Sequence, residues 1–241
     1  MDTIKLIDKK NTKMVAHRGL SGIERENTMP AFVAAGNRSY FGIETDVHRT
    51  VDGAFVVMHD DWTGRISPVK NVRIEETAYE ELRRIELGDR DDSVGRIDLR
   101  IPSLIEYINV CARYDKKAVL ELKGYFEPQY IAEMVEVIRY EHYLDGVIFI
   151  SFDLNNLIEL RRLLPEQKLM YLTCGYDADI LEALKTYRLD LDVAYTYMTP
   201  ESVAELHANG IEVNCWTVDG PEDAARLIEM GVDYITTNIL E

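Results

Sequence analysis

Short apolar runs alternate with longer amphipathic segments along most of the chain. Runs of strand length lie at 14–18 (MVAHR), 41–48 (FGIETDVH), 54–59 (AFVVMH), 118–123 (AVLELK), 146–151 (GVIFIS), 168–172 (KLMYL), 192–196 (DVAYT), 211–216 (IEVNCW) and 232–236 (VDYIT). Between most of them the apolar residues fall at helical spacing, as in 127–140, 154–164, 177–187 and 222–231. Thr199-Pro200 and Gly220-Pro221 read as helix starts, because proline loses nothing at the first helical position. Strands separated by helices pair in parallel.

Nine runs are one more than a closed eight-stranded barrel needs. Parallel neighbours require a crossover of about a dozen residues, yet only Asp52-Gly53 separates the second run from the third. Those two runs therefore form a hairpin, and eight parallel strands remain for a (β/α)8 TIM barrel with a hairpin extension after its second strand. If Asp52-Gly53 is a two-residue turn, Val51 faces Ala54 and His59 lies opposite Asp46. The chain reads as one barrel domain over 1–241, with 60–116 a longer connection over the barrel. It ends on ITTNILE, which leaves no room for a final outer helix. Residues 1–13, with Ile4, Leu6 and Ile7, are expected to cover the exposed apolar surface or the barrel bottom, a second subunit in a homo-oligomer being the alternative.

Composition narrows the partners. In 241 residues, 43 acidic against 27 basic side chains give a formal charge of −16, which repels nucleic acid and anionic membrane surfaces and points to a small-molecule partner. No stretch approaches the roughly 18 uninterrupted apolar residues of a membrane span, so no stable membrane insertion is expected. The N-terminus has no apolar run of signal-peptide length. Cys111, Cys174 and Cys215 are odd in number and contain no C-x-x-C, which fits a reducing, cytoplasmic location.

The chemistry gathers at strand ends. Strand alternation puts Glu44, Asp46 and His48 on one face of the second run, and Glu121 and Lys123 on one face of the fourth. Barrel sites form at the C-terminal ends of the strands, where His17, Arg18, Glu44, Asp46, Glu121, Lys123 and Trp216 all fall. Three crowded carboxylates need a counter-charge, and oxygen donors suit Mg²⁺, Ca²⁺ or Mn²⁺ better than zinc. A cation beside Arg18 and Lys123 would make a local positive site suited to an anionic phosphoryl group, with histidines for proton transfer.

The motifs HRG at 17–19, ENT at 26–28 with AF at 31–32, E-x-D at 44–46, T-x-D-G at 50–53, VVMHD at 56–60, IPSL at 101–104, E-L-K at 121–123 and W-T at 216–217 resemble, in this order, the glycerophosphodiester phosphodiesterase family. The resemblance implies metal-dependent hydrolysis of glycerophosphodiesters to glycerol 3-phosphate and an alcohol. By it, Glu44, Asp46 and Glu121 hold one divalent cation, Mg²⁺ or Ca²⁺. His17 and His59 are the acid–base pair, Arg18 and Lys123 contact phosphate, and Trp216 is a wall for the glycerol moiety. WTGRIS at 62–67 departs from the family's usual text, so the loop over the site is expected to be shaped differently. The alternatives are a phospholipase-like phosphodiesterase releasing a cyclic phosphate and a non-catalytic phosphate-ester-binding barrel.

Several residues also have plain structural readings. Trp216 can be core packing, and Glu44, Asp46 and Lys123 can be structural ion-pair members. His48 is expected to be structural, His142 and His207 to lie on the surface, and Asn27 either to orient a neighbour or, the preferred reading, to start the first helix as a cap.

Overall fold

The structure is a computed structural model that describes residues 2–241. Its strands are β1 (Lys13–Ala16), β2 (Gly42–Arg49), β3 (Phe55–Val57), β4 (Lys117–Leu122), β5 (Val147–Ser151), β6 (Leu169–Thr173), β7 (Asp190–Ala194), β8 (Val213–Trp216) and β9 (Tyr234–Thr237). The helices are α1 (Met29–Gly36), α2 (Tyr79–Arg84), α3 (Leu104–Tyr114), α4 (Pro128–Tyr140), α5 (Leu154–Leu163), α6 (Ala178–Tyr187), α7 (Pro200–Ala208) and α8 (Pro221–Met230). The sheet runs β1-β9-β8-β7-β6-β5-β4-β2, and parallel pairing of β1 with β2 closes it into an eight-stranded (β/α)8 barrel.

Helix starts follow the punctuation in the sequence. Thr199 and Gly220 are N-caps ahead of Pro200 and Pro221, as expected. Within IPSL, Ser103 forms a reciprocal box with Glu106: its Oγ accepts from the Glu106 N–H at 3.2 Å, and Glu106 Oε2 accepts from the Ser103 N–H at 2.8 Å. The box starts α3 against the barrel.

β3 leaves the barrel as an antiparallel partner of β2, with Arg49 facing Phe55, His48 facing Val56 and Val47 facing Val57. This differs by one residue from the two-residue turn expected from the sequence. Thr50, not Val51, faces Ala54, with its N–H donating to the Ala54 carbonyl at 2.8 Å. The loop is three residues long because Gly53 takes a left-handed φ of +87°, the geometry of a three-residue hairpin. Met58 therefore meets Asp46, donating to its carbonyl at 3.1 Å, and His59 lies one position beyond the expected partner.

The connection expected over 60–116 divides in two. α3 is an ordinary outer helix, whereas 60–103 folds as a lobe with its own core of Ile66, Ile74, Leu82, Leu87, Leu99 and Ile101 against Val56 and Met58. The lobe docks on the segment after β1: Arg25 Nε donates to the Gly88 carbonyl at 2.7 Å, and Arg96 pairs with Glu24 at 2.8 Å.

Outward-facing strand residues join the helices in the main core. The barrel lumen holds Val15, Val119, Ile148, Ile150, Met170, Leu172 and Tyr234. No described helix follows β9. Instead the N-terminal segment runs beside 239–241, through Ile4 N–H to the Ile239 carbonyl at 3.0 Å and Leu6 N–H to the Glu241 carbonyl at 2.7 Å. Leu6 packs on the main core, while Ile7 is fully exposed. No helix of the described residues is long and apolar enough to cross a membrane.

Candidate active site

A cavity of about 90 Å³ opens at the C-terminal ends of the strands. Of the eight site residues named from the sequence, His17, Arg18, Glu44, His59, Glu121, Lys123 and Trp216 line it. Asp46, the eighth, lies buried among them and offers an oxygen within 4.8 Å of oxygens from Glu44 and Glu121. His48 shares their strand face but turns its Nδ1 to Glu75 at 3.2 Å and stays out of the cavity.

The backbone after β1 is shaped for this site. Arg18 and Asn27 adopt left-handed φ values of 54° and 53°, which non-glycine residues rarely hold without support. The Arg18 N–H donates to Glu44 Oε2 at 2.7 Å, which fixes that carboxylate. Gly19, φ +75°, lies so near α1 that a Cβ would stand 2.7 Å from the Ala31 carbonyl carbon, so only glycine fits.

Asn27 corrects the expectation that it caps α1, for Thr28 is the N-cap. Asn27 Nδ2 donates to Asp46 Oδ2 at 2.7 Å, and Asn27 Oδ1 accepts from Thr45 Oγ1 at 2.8 Å. It orients a carboxylate across the strand gap.

The electrostatics show what the acids lack. Burial, then the charges of Asp46 and Glu121, hold the Glu44 carboxyl well above the usual carboxylate range. Burial and Asp46 push Glu121 up to about 8. Burial works the same way on Asp46, but Lys123 and Arg18 outweigh it and keep that group low. Lys123 Nζ stands 2.8 Å from Glu121 Oε1 and 3.4 Å from Asp46 Oδ1, an oxygen buried without a hydrogen bond. Three buried oxygen donors with an orphaned lone pair fit a hard divalent cation, which would relieve the repulsion that now raises two of them.

The two histidines have different supports. Asn238 Nδ2 donates to Asp219 Oδ2 at 2.6 Å, so Asn238 Oδ1 must face His17 Nδ1, 2.8 Å away. Ser21 Oγ donates to the same oxygen at 2.6 Å. His17 Nδ1 therefore carries the proton, and Nε2 presents a lone pair near Glu44 Oε2, at 4.0 Å. Burial, then Arg18, push His17 down to about 4. His59 Nδ1 instead meets a carboxylate, Asp60 Oδ1, at 2.7 Å. Arg65 anchors that carboxylate, with Nε to Asp60 Oδ2 at 2.7 Å, and bridges to Glu26, which also holds Arg18 at 2.8 Å.

Sequence reasoning did not single out Glu26, Asp60, Arg65, Asp219 or Asn238. Two of them lay inside its own motifs, Glu26 in ENT and Asp60 in VVMHD. Arg65 belongs to the divergent WTGRIS text, and its reach back to Glu26 is what that loop adds. Phe152 joins the lining and meets Trp216 edge to face with ring centroids 5.7 Å apart.

The chain is similar in sequence and fold to known proteins. The sequence model described as the glycerophosphoryl diester phosphodiesterase family matches residues 17–241. A glycerophosphodiester phosphodiesterase of Caldanaerobacter subterraneus subsp. tengcongensis is 31% identical over 232 residues, with 94% of each chain covered. One from Bacillus altitudinis is 30% identical over 237 residues, again with 94% of each covered. An Oleispira antarctica phosphodiesterase, solved in complex with the product sn-glycerol-3-phosphate, matches with a TM-score of 0.84 at 27% identity, over 94% of this chain and 92% of that one. The match begins directly after β1 and takes in the rest of the barrel and every motif read from the sequence, and the chain belongs to the glycerophosphoryl diester phosphodiesterase family.

Proposed function

We propose that this enzyme hydrolyses glycerophosphodiesters to glycerol 3-phosphate and an alcohol, with Glu44, Asp46 and Glu121 holding one divalent cation, Mg²⁺ or Ca²⁺. One observation carries the reading: a buried acid triad shares a cavity with two cations and two differently supported histidines. The product bound in the Oleispira antarctica relative supports the same substrate class.

The cation, when bound, supplies positive charge to the phosphoryl oxygens. Arg18 and Lys123 add the fixed charges that hold the diester anion. His17, with Nδ1–H committed to Asn238, offers Nε2 as the base that takes a proton from the attacking water. His59 is the acid. Burial holds His59 below the ordinary histidine range, while Asp46 and the Arg65-anchored Asp60 carboxylate that accepts from its Nδ1–H oppose that shift; in its protonated form it can give a proton to the alcohol oxygen as the bond to phosphorus breaks. Water adds to phosphorus, one proton goes to His17, one comes from His59, and the alcohol leaves. Trp216 walls the glycerol arm. The unpaired cysteines agree with action on small soluble diesters in the cytoplasm.

Phosphorus NMR of glycerophosphocholine with the enzyme tests this directly. The signal should convert to glycerol 3-phosphate with Mg²⁺ or Ca²⁺ present and stay unchanged after exhaustive chelation. A cyclic phosphate as end product, or full turnover in chelator, would overturn the reading.

A further inference from the structure

The cavity has two unlike sides. On one stand the acid triad, Arg18, Lys123 and the histidines; on the other, inward residues of β5 to β9 form a floor of Ile150, Leu172, Asp192, Trp216 and Thr236. Asp192 is the anomaly on that floor. It is a carboxylic acid only 2% exposed, and among the described residues no cationic side chain is bonded to it.

Its local bonds are half complete. Oδ1 accepts from Asn214 Nδ2 at 2.8 Å, and Asn214 is held in turn by Thr236, whose Oγ1 lies 2.9 Å from Asn214 Nδ2 and 3.2 Å from Asn214 Oδ1. Oδ2 takes no hydrogen bond from any described residue, although the side chain lines the cavity. An acid held rigidly by one oxygen, with the other facing the cavity, presents a fixed acceptor to whatever occupies that side. Trp216, two residues beyond Asn214 on β8, has an indole N–H without an acceptor as well.

That acceptor does not suit the phosphate, which a carboxylate repels and which Arg18 and Lys123 draw to the other side; it suits an uncharged ligand group carrying O–H. Burial pushes the Asp192 carboxyl up to about 7, which suits hydrogen bonding to neutral hydroxyls rather than pairing with a cationic head group.

Resting on the proposed function, we infer that Asp192, positioned by Asn214 and Thr236, is a specificity-determining residue whose open oxygen accepts a hydrogen bond from a free hydroxyl of the glycerol arm. The site then distinguishes a polyol ester from an alkyl ester of the same size. Sites built to bond a hydroxyl reject analogues lacking it far more strongly than apolar pockets reject a missing methylene.

The test compares wild type, Asp192→Leu and Asp192→Asn on glycerophosphocholine and on propyl phosphocholine, its isostere without the two glycerol hydroxyls. A second readout, independent of turnover, is calorimetric binding of sn-glycerol 3-phosphate against n-propyl phosphate in Ca²⁺. Wild type should favour the hydroxylated member of each pair by about 10²-fold, with that ratio falling at least about tenfold in Asp192→Leu and less in Asp192→Asn. An equal loss on both members, or no change in either ratio, overturns the inference. If wild type cleaves neither diester yet the binding ratio collapses in Asp192→Leu, hydroxyl recognition stands and the proposed reaction fails. Thermal melting checks the fold: exchanging a buried acid for leucine beside Ile150 and Leu172 should not lower the midpoint.

Discussion

Asn238 fixes the tautomer of His17. Its Oδ1 lies 2.8 Å from His17 Nδ1, and it cannot rotate its amide because Nδ2 is held by Asp219 Oδ2 at 2.6 Å and its backbone N–H by Asp219 Oδ1 at 2.7 Å. Replacing Asn238 by Ala should lower kcat about 10–100-fold with little change in KM, the usual scale for losing a group that orients a functional histidine. Asn238→Asp alone sets a second carboxylate against Asp219 and should also lose activity. Adding Asp219→Asn restores one donor and one acceptor at the pair, so the double variant should recover most of kcat. Steady-state kinetics of the four proteins decide the point, and a fully active Asn238→Ala would remove the orienting role.

The unlike supports of the two histidines predict unlike pH profiles. His17 must be neutral to act as a base, so the acidic limb of kcat/KM belongs to it; His59 must be protonated, so the alkaline limb belongs to His59. Either change to Ala should lower kcat by about 10²–10⁴. His17→Ala should flatten the acidic limb, and His59→Ala the alkaline one. The reverse pattern would exchange the two roles.

The barrel was legible because connection length is a hard constraint. Two residues between β2 and β3 forbid a parallel crossover, and the remaining eight strands close. The hairpin register was not, because a three-residue turn with left-handed Gly53 and a two-residue turn share the letters Asp-Gly. The seven lining site residues were legible through strand-end position and motif order. Asn27 was misread because a residue beside a helix start looks like a cap from one dimension, whereas its partner Asp46 is supplied by the neighbouring strand. The link from His17 to Asn238 spans 221 positions, and nothing local in either stretch announces the other. Asp192 sat in a run that read simply as a strand, since alternation shows that a residue points inward but not that its second oxygen lacks a donor.

A divalent cation should stabilise the fold as well as support turnover. Without it Glu44 and Glu121 sit buried and mutually repelled. At a cation concentration of about 100 Kd, stabilisation is about 2.7 kcal/mol, which for a chain of this length raises the thermal midpoint by about 5–10 °C. Glu121→Gln should abolish that rise while leaving a folded protein, because it removes charge from a crowded site. An equal midpoint rise in Glu121→Gln would place the cation elsewhere.

Asp192 should make stability fall as pH rises near neutrality. Burial pushes its carboxyl up to about 7 in the folded protein, from an ordinary aspartate value of about 3.9, with the Asn214 hydrogen bond opposing the shift. Between those two pH values the native state binds a proton that the unfolded chain does not. The native state is therefore favoured through this group as pH falls from 8 towards 4, and the ionised group's burial is felt fully only above pH 7. The shift corresponds to an upper figure of about 4 kcal/mol. Asp192→Asn removes the titration while preserving shape and an acceptor for Asn214. Urea unfolding of the two proteins in chelator should show the variant more stable at pH 8 and the gap narrowing steadily towards pH 4.5. Glu121 and the histidines titrate in both proteins and largely cancel in the difference. A gap that stays constant across that range would mean that Asp192 is ionised throughout, held by a positive partner or by water that the buried pair with Asn214 does not supply.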